Sequence, residues 1–132
     1  MDKVKKMPIQ PSARKDNGRW HLYIDDISMP SGFIPLAEQN HIVSVPRGAL
    51  AGNHKHVRQE ILLGLHPDLM LIWQDENGKK HTEEMNPKGE LTLIFVPSLI
   101  PHVVINKSQT SPAIFFEWTD SRSLDQEDVN LL

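Results

Sequence analysis

Apolar residues along this chain fall in short runs set off by Gly, Pro, Asn and Asp, a pattern that predicts strands rather than helices. Extended segments are expected at residues 20–24, 41–45, 60–66, 69–74, 79–85, 91–96, 102–106 and 113–118. Pro46 stops the second of these, and Pro67-Asp68 breaks the third from the fourth. Asn77-Gly78 is the strongest hairpin signal and predicts a type I′ turn, which needs positive φ at both central residues. Asn86-Pro87-Lys88-Gly89 predicts a second turn, and residues 108–112 a turn-rich connection. Residues 1–18, polar and Pro-containing, read as an arm or an edge strand. The tail from 120 to 132 is acidic and predicts a short helix capped by Ser123. About eight strands in some hundred residues predict an all-β sandwich or barrel.

Some strands are apolar on both faces. Ile61, Leu63 and Leu65 oppose Leu62 and Gly64, and Ile114, Phe116 and Trp118 alternate with Ala113 and Phe115. The surplus face calls for a second layer, either a partner subunit or the chain's own sheets and arm. The expectation drawn from it is a homodimer.

The 132 residues suit one domain, and the 39% apolar and 23% charged fractions are ordinary for a globular chain. A formal net charge of −3 supplies no basic field for nucleic acid or an anionic membrane. No segment approaches the roughly 20 apolar residues of a spanning helix, and no apolar stretch follows the basic start, so a cytoplasmic protein is expected. With no cysteine, disulfides, thiolate catalysis and sulfur metal sites are excluded. Any metal must be held by nitrogen and oxygen.

The candidate chemistry lies in Gly52-Asn53-His54-Lys55-His56-Val57-Arg58-Gln59-Glu60 and in Pro97-Ser98-Leu99-Ile100-Pro101-His102. Imidazoles and one carboxylate suit a borderline divalent metal. On an uninterrupted strand, positions 54, 56 and 60 share one face, because the side-chain period is two. One strand region would then aim His54, His56 and Glu60 at a point, and a second would add His102, with Asn106 at the same parity.

These residues resemble the two motifs of the cupin superfamily. Five residues separate Gly48 from His54, His56 and Glu60 follow in register, and Gly89, Pro97, His102 and Asn106 match the second motif. Leu99 stands where that motif usually has glycine, and Pro67-Asp68 replaces the closing glycine of the first. The resemblance covers about residues 40–118. It implies a double-stranded β-helix or jelly roll, and a metal (Zn, Fe, Mn, Ni, Co or Cu) held by His54, His56, Glu60 and His102. The stretch Arg47-Gly48-Ala49-Leu50-Ala51-Gly52-Asn53-His54-Lys55-His56 also looks like that of small cupins acting on sugar nucleotides, namely ketoisomerases and the cupin domain of a capsule-sugar reductase. Ala51 replaces an arginine that those proteins often carry.

By that resemblance the expected activity is isomerisation or epimerisation of a sugar or sugar nucleotide. Removing a proton beside a carbonyl needs an electrophile for the oxygen and a base for the proton. If His54 and His56 hold metal, the base comes from elsewhere, and Glu117, His66, His41 and Tyr23 are the candidates; if no metal binds, His54 and His56 carry the proton themselves. Arg47, Arg58, Trp73 and Asn106 are candidate substrate contacts. Two other readings stand: a mononuclear metal oxygenase using open coordination positions, and a non-catalytic ligand-binding or sensor protein.

Overall fold

The computed structural model describes residues 3–36, 39–121 and 126–132. Among the described residues twelve strands run in chain order: β1 (Lys5–Pro8), β2 (Ala13–Arg14), β3 (Trp20–His21), β4 (His41–Val45), β5 (Leu50–His56), β6 (Glu60–Gly64), β7 (Leu69–Gln74), β8 (Lys80–Glu84), β9 (Thr92–Val96), β10 (His102–Asn106), β11 (Ala113–Thr119) and β12 (Gln126–Asp128). Two five-stranded antiparallel sheets result, ordered β1-β9-β6-β11-β4 and β12-β5-β10-β7-β8, with β2 and β3 forming a separate ribbon. No α-helix occurs among the described residues.

The period-two pattern explains the core between the sheets. Val45, Leu62, Ile94, Val96, Ala113 and Phe115 point inward from the first sheet. Leu69, Leu71, Trp73 and Val104 meet them from the second. Each large side chain buried this way contributes roughly 1.5–3 kcal/mol. The opposite parity of the first sheet carries Ile61, Leu63, Leu93 and Trp118, buried with Phe33 and Leu91. Met7, Ile9, Leu22, Ile27 and Met29 pack on this cluster. The surplus apolar face thus finds most of its cover within the chain, from the N-terminal segment.

That segment is more regular than a loose arm, since β1 pairs with β9 as an edge strand. The expected strand at 20–24 keeps only Trp20–His21, and Ile24–Asp26 forms a 3₁₀ turn. The hairpin at Asn77-Gly78 is present, but positive φ occurs at Gly78 (82°) and not at Asn77. Gly78 N donates to Asp75 O at 3.0 Å and Lys79 N to Asp75 Oδ1 at 3.0 Å, so a type I turn leads into a glycine bulge instead of a type I′ turn. In the tail, residues 126–128 are extended and pair with β5, in place of the expected helix. The proposed cap, Ser123, lies outside the described residues.

The histidines lie on β5, a strand that the apolar pattern does not mark and that only the ligand parity places on an extended segment. Its Gly52-Asn53 pair is a poor strand former, which hid it. Gly52 (φ 98°) and Asn53 (φ 73°) both lie in the left-handed region, which glycine and asparagine tolerate best. There the ladder to β10 shifts register: Gly52 faces Val103, while His54 faces His102. The extra residue turns His54 to the side already occupied by Ala51. Without the bulge, strict alternation would leave 54 with the exposed Leu50 and Gly52.

Candidate metal and proton-transfer site

The four residues proposed as ligands come from three strands in two sheets. His54 and His56 end β5, and His102 opens β10 beside it. Glu60 does not continue the His54–His56 strand, as strand parity had suggested. Val57, Arg58 and Gln59 turn the chain across to the other sheet, and Glu60 begins β6 there with its side chain facing back. The turn is tied by Leu99 N donating to His56 O at 2.8 Å. Leu99, which replaces the expected glycine, holds φ 64°, so the glycine-type backbone survives under a leucine.

Ligand atoms of His54, His56 and His102 lie within 4.8 Å of one another. Glu60 Oε1 sits 2.7 Å from His56 Nε2 and 3.0 Å from His102 Nε2. The other ring nitrogens fix the tautomers: His56 Nδ1–H donates to Arg58 O at 3.0 Å, and His102 Nδ1–H to Ile100 O at 2.8 Å. Each neutral ring therefore presents a bare Nε2 to the centre, the arrangement that backbone carbonyls impose on metal-ligating histidines. His56 Nε2 and Glu60 Oε1 are both buried and, despite their short separation, lack a hydrogen bond of acceptable direction. Unsatisfied lone pairs converging at a buried point are what a divalent cation would satisfy, so the residues present fit the metal that the fold implies.

Burial opposes the charge on Glu60, but the adjoining imidazoles of His102 and His56 outweigh it and hold the carboxyl well below the usual carboxylate range. Burial, followed by the neighbouring His102 and His56, pushes the His54 imidazole down to about 4. His54 is thus a neutral ring at physiological pH, as a metal ligand must be.

A cavity of about 180 Å³ opens beside this group. His54, His102, Arg58 and Glu117 line it, with walls that include Ala51, Leu62, Val104 and Phe115. Arg58 Nη2 lies 3.5 Å from Glu60 Oε2, and its Nε is buried without a partner. Glu117, 8% exposed, belongs to β11, opposite His41 on β4. His41 Nε2 is 2.5 Å from Glu117 Oε2. Sequence reasoning raised these two residues separately. Their pairing depends on the β4–β11 register, which local pattern does not specify.

Other candidates fall elsewhere. Trp73 lies across the ladder from His102 but is buried in the core, stacked on His81 at 4.2 Å. Asn106, at the far end of β10, donates from Nδ2 to Val45 O (3.1 Å), Pro46 O (3.3 Å) and Ser111 O (3.0 Å), so it ties a turn. Arg47 stands in that turn, with Nη1 donating to Gln109 O at 3.4 Å. His66 follows the end of β6 remote from Glu60 and sits 3.3 Å from Ser111 Oγ. Tyr23 is 60% exposed on the N-terminal segment. None of these five lines the cavity.

No protein-family model and no curated protein sequence matches this chain. Solved structures do match it in fold. A dTDP sugar isomerase from Desulfovibrio desulfuricans G20 superposes with a TM-score of 0.72 at 12% identity, over 96% of this chain and 83% of that one. A mutant of the 3,4-ketoisomerase QdtA from Thermoanaerobacterium thermosaccharolyticum, in complex with TDP-4-keto-6-deoxyglucose, gives 0.67 at 11% identity over 94% and 86%. A cupin 2 domain-containing protein from Halorhodospira halophila gives 0.62 at 12% over 99% and 86%. Against the Staphylococcus aureus capsular polysaccharide assembling protein CapF, the chain spans only about a quarter of the length, 26% in one structure. Among the described residues, no helix is long and apolar enough to cross a membrane. The strand order, the buried histidine group and these superpositions together identify the architecture as the cupin fold.

Proposed function

We propose that this chain is a metal-binding enzyme that isomerises or epimerises a keto sugar, free or carried on a nucleotide. The observation that carries the reading is the opening of one small cavity onto the His54–His56–His102 group, the Arg58 guanidinium and the Glu117 carboxylate together. His54, His56, His102 and Glu60 would hold the ion, and a bound divalent ion would act as a Lewis acid toward the keto oxygen. Arg58 brings a fixed positive charge to the same wall, where negative charge develops on that oxygen. The apolar walls exclude water and strengthen both effects. The fold shared with sugar-nucleotide isomerases supports the choice of substrate class.

The test is deuterium wash-in. Wild-type protein, loaded with Zn, Mn or Fe(II), is incubated with TDP-4-keto-6-deoxyglucose in D₂O. Deuterium is expected at a carbon next to the keto group, with formation of an isomer. Oxygen consumption without wash-in would favour the oxygenase reading, and binding without either would favour a sensor.

A homodimer is part of the proposal. Ile42 (62% exposed) and Ile114 (41%) remain uncovered on the outer face of β4 and β11, and sedimentation at several concentrations checks whether two copies bury them.

A further inference from the structure

We infer that Glu117 and His41 form a proton relay, in which Glu117 exchanges the proton with the substrate carbon and His41 exchanges it with solvent. The inference rests on the isomerase reading above for its substrate and on the following geometry for its residues.

His41 Nδ1 lies 2.9 Å from Gln39 O. A carbonyl oxygen only accepts, so Nδ1 carries a hydrogen and donates it, and the ring is oriented. In the neutral ring, Nε2 would then be a bare lone pair. It lies 2.5 Å from Glu117 Oε2, which is also an acceptor when ionised. At this separation one proton can be held between them, on the nitrogen or on the oxygen. The pair is built to share that proton whichever atom holds it.

The two ends face different surroundings. The Glu117 side chain is 10% exposed and lines the cavity beside His54, His102 and Arg58. No hydrogen bond to its Oε1 occurs among the described residues, and the side chain lines the cavity, where it can take a proton from a bound molecule. The His41 side chain is 43% exposed. A buried carboxylate lining a cavity, backed by an oriented imidazole open to water, provides a path by which a buried base is reset without opening the cavity. None of the proposed metal ligands is used as the base.

The step balances simply. The C–H bond next to the keto carbon breaks and its electron pair forms the C=C bond of an enolate. The proton goes to Glu117 Oε1, the Oε2 proton passes to His41 Nε2, and His41 releases its Nδ1 proton to water at the exposed contact with Gln39 O. The enolate then takes a solvent proton, delivered back through His41 and Glu117, at the former keto carbon, while the neighbouring hydroxyl passes its proton to the former keto oxygen and becomes the new carbonyl.

The experiment compares wild type, Glu117→Gln and His41→Gln, all loaded with the same metal, by wash-in from D₂O into TDP-4-keto-6-deoxyglucose. The glutamine at 41 can still donate to Glu117 but cannot relay a proton. Unfolding midpoint, metal content and TDP affinity are measured for each, to separate proton transfer from folding and binding. The relay predicts a loss of about 100-fold or more for Glu117→Gln. For His41→Gln it predicts a loss of at least tenfold, with kcat rather than KM affected, and partial rescue by added imidazole. Wild-type rates in both variants would overturn the relay and leave the isomerase reading standing. No wash-in by the wild type would overturn the isomerase reading, and the relay with it.

Discussion

His54 sits directly across the β5–β10 ladder from His102, one step beyond the register shift that Gly52 and Asn53 create. The two rings are 5.3 Å apart, and His56 completes the group at 5.0 and 5.1 Å. Replacing His54 or His102 by alanine removes one of three converging nitrogens. Metal content by elemental analysis is expected to fall from near one equivalent to a small fraction in either variant. Glu60→Gln keeps the shape but removes the charge that neutralises the ion. Metal affinity should drop about 10- to 100-fold, read by competition with a chelator. Full metal content in His54→Ala and His102→Ala alike would remove the metal model.

The metal-free protein should lose stability in acid in two overlapping windows. Glu60 has its folded pKa below the ordinary 4.5, so its contribution is complete above that value and is lost as the pH falls through the folded one. His54 has its folded value near 4 against 6.5, so the unfolded chain takes up more protons between those limits. Stability therefore declines as pH falls from about 6.5 to 4, and continues to decline below 4.5 as Glu60 contributes. Urea midpoints across pH 7 to 4 check this. His54→Gln should flatten the upper part of the curve and leave the lower part.

Leu99 holds a left-handed φ of 64° while 57% exposed. Its side chain gains little from packing there, and the conformation costs about 1–2 kcal/mol for a residue with a Cβ. Leu99→Gly should raise stability by up to about 1 kcal/mol, once the extra freedom of glycine in the unfolded chain is set against the relief. The metal content should stay unchanged. A lower unfolding midpoint would show that the strain estimate is wrong.

Asn106 makes a second, structural claim testable. Its amide donates to three carbonyls, and its Oδ1 accepts from Ser108 N at 2.9 Å. Asn106→Ala leaves these buried groups unpaired at about 1–3 kcal/mol for each one that water cannot reach. The expected outcome is a large fall in unfolding midpoint with metal content and TDP affinity retained in the folded fraction, since Asn106 lies a full strand away from His102.

Gly64 faces Met85 so closely that an added Cβ would lie 2.7 Å from Met85 Cβ and 3.1 Å from its carbonyl oxygen. Both residues are buried, and the backbone oxygen cannot turn aside. Gly64→Ala should therefore destabilise by about 1–3 kcal/mol, measured by urea denaturation.

Much of this was legible along the chain because it depends on local repeats. Short apolar runs bounded by turn residues located β4, β6, β7, β8, β9, β10 and β11, since strands of this length bury one or both faces and are stopped by Gly, Pro, Asn and Asp. The motif spacing marked His54, His56, Glu60 and His102, because ligand-bearing chains retain residue types at set intervals. The apolar pattern missed β5, because its Gly52-Asn53 bulge replaces the apolar residues that signal a strand, and only the ligand spacing pointed to an extended segment there. Parity suggested that Glu60 shares a strand with His56. Parity is interrupted wherever the chain bulges or turns, and both occur between residues 52 and 60. The cover over Ile61, Leu63 and Trp118, the His41–Glu117 pair, and the separation of Arg47, His66 and Asn106 from the histidine group all depend on contacts between residues distant in sequence. Such contacts follow from how the two sheets pair and pack, and that is settled only by burying both apolar faces of the first sheet at once.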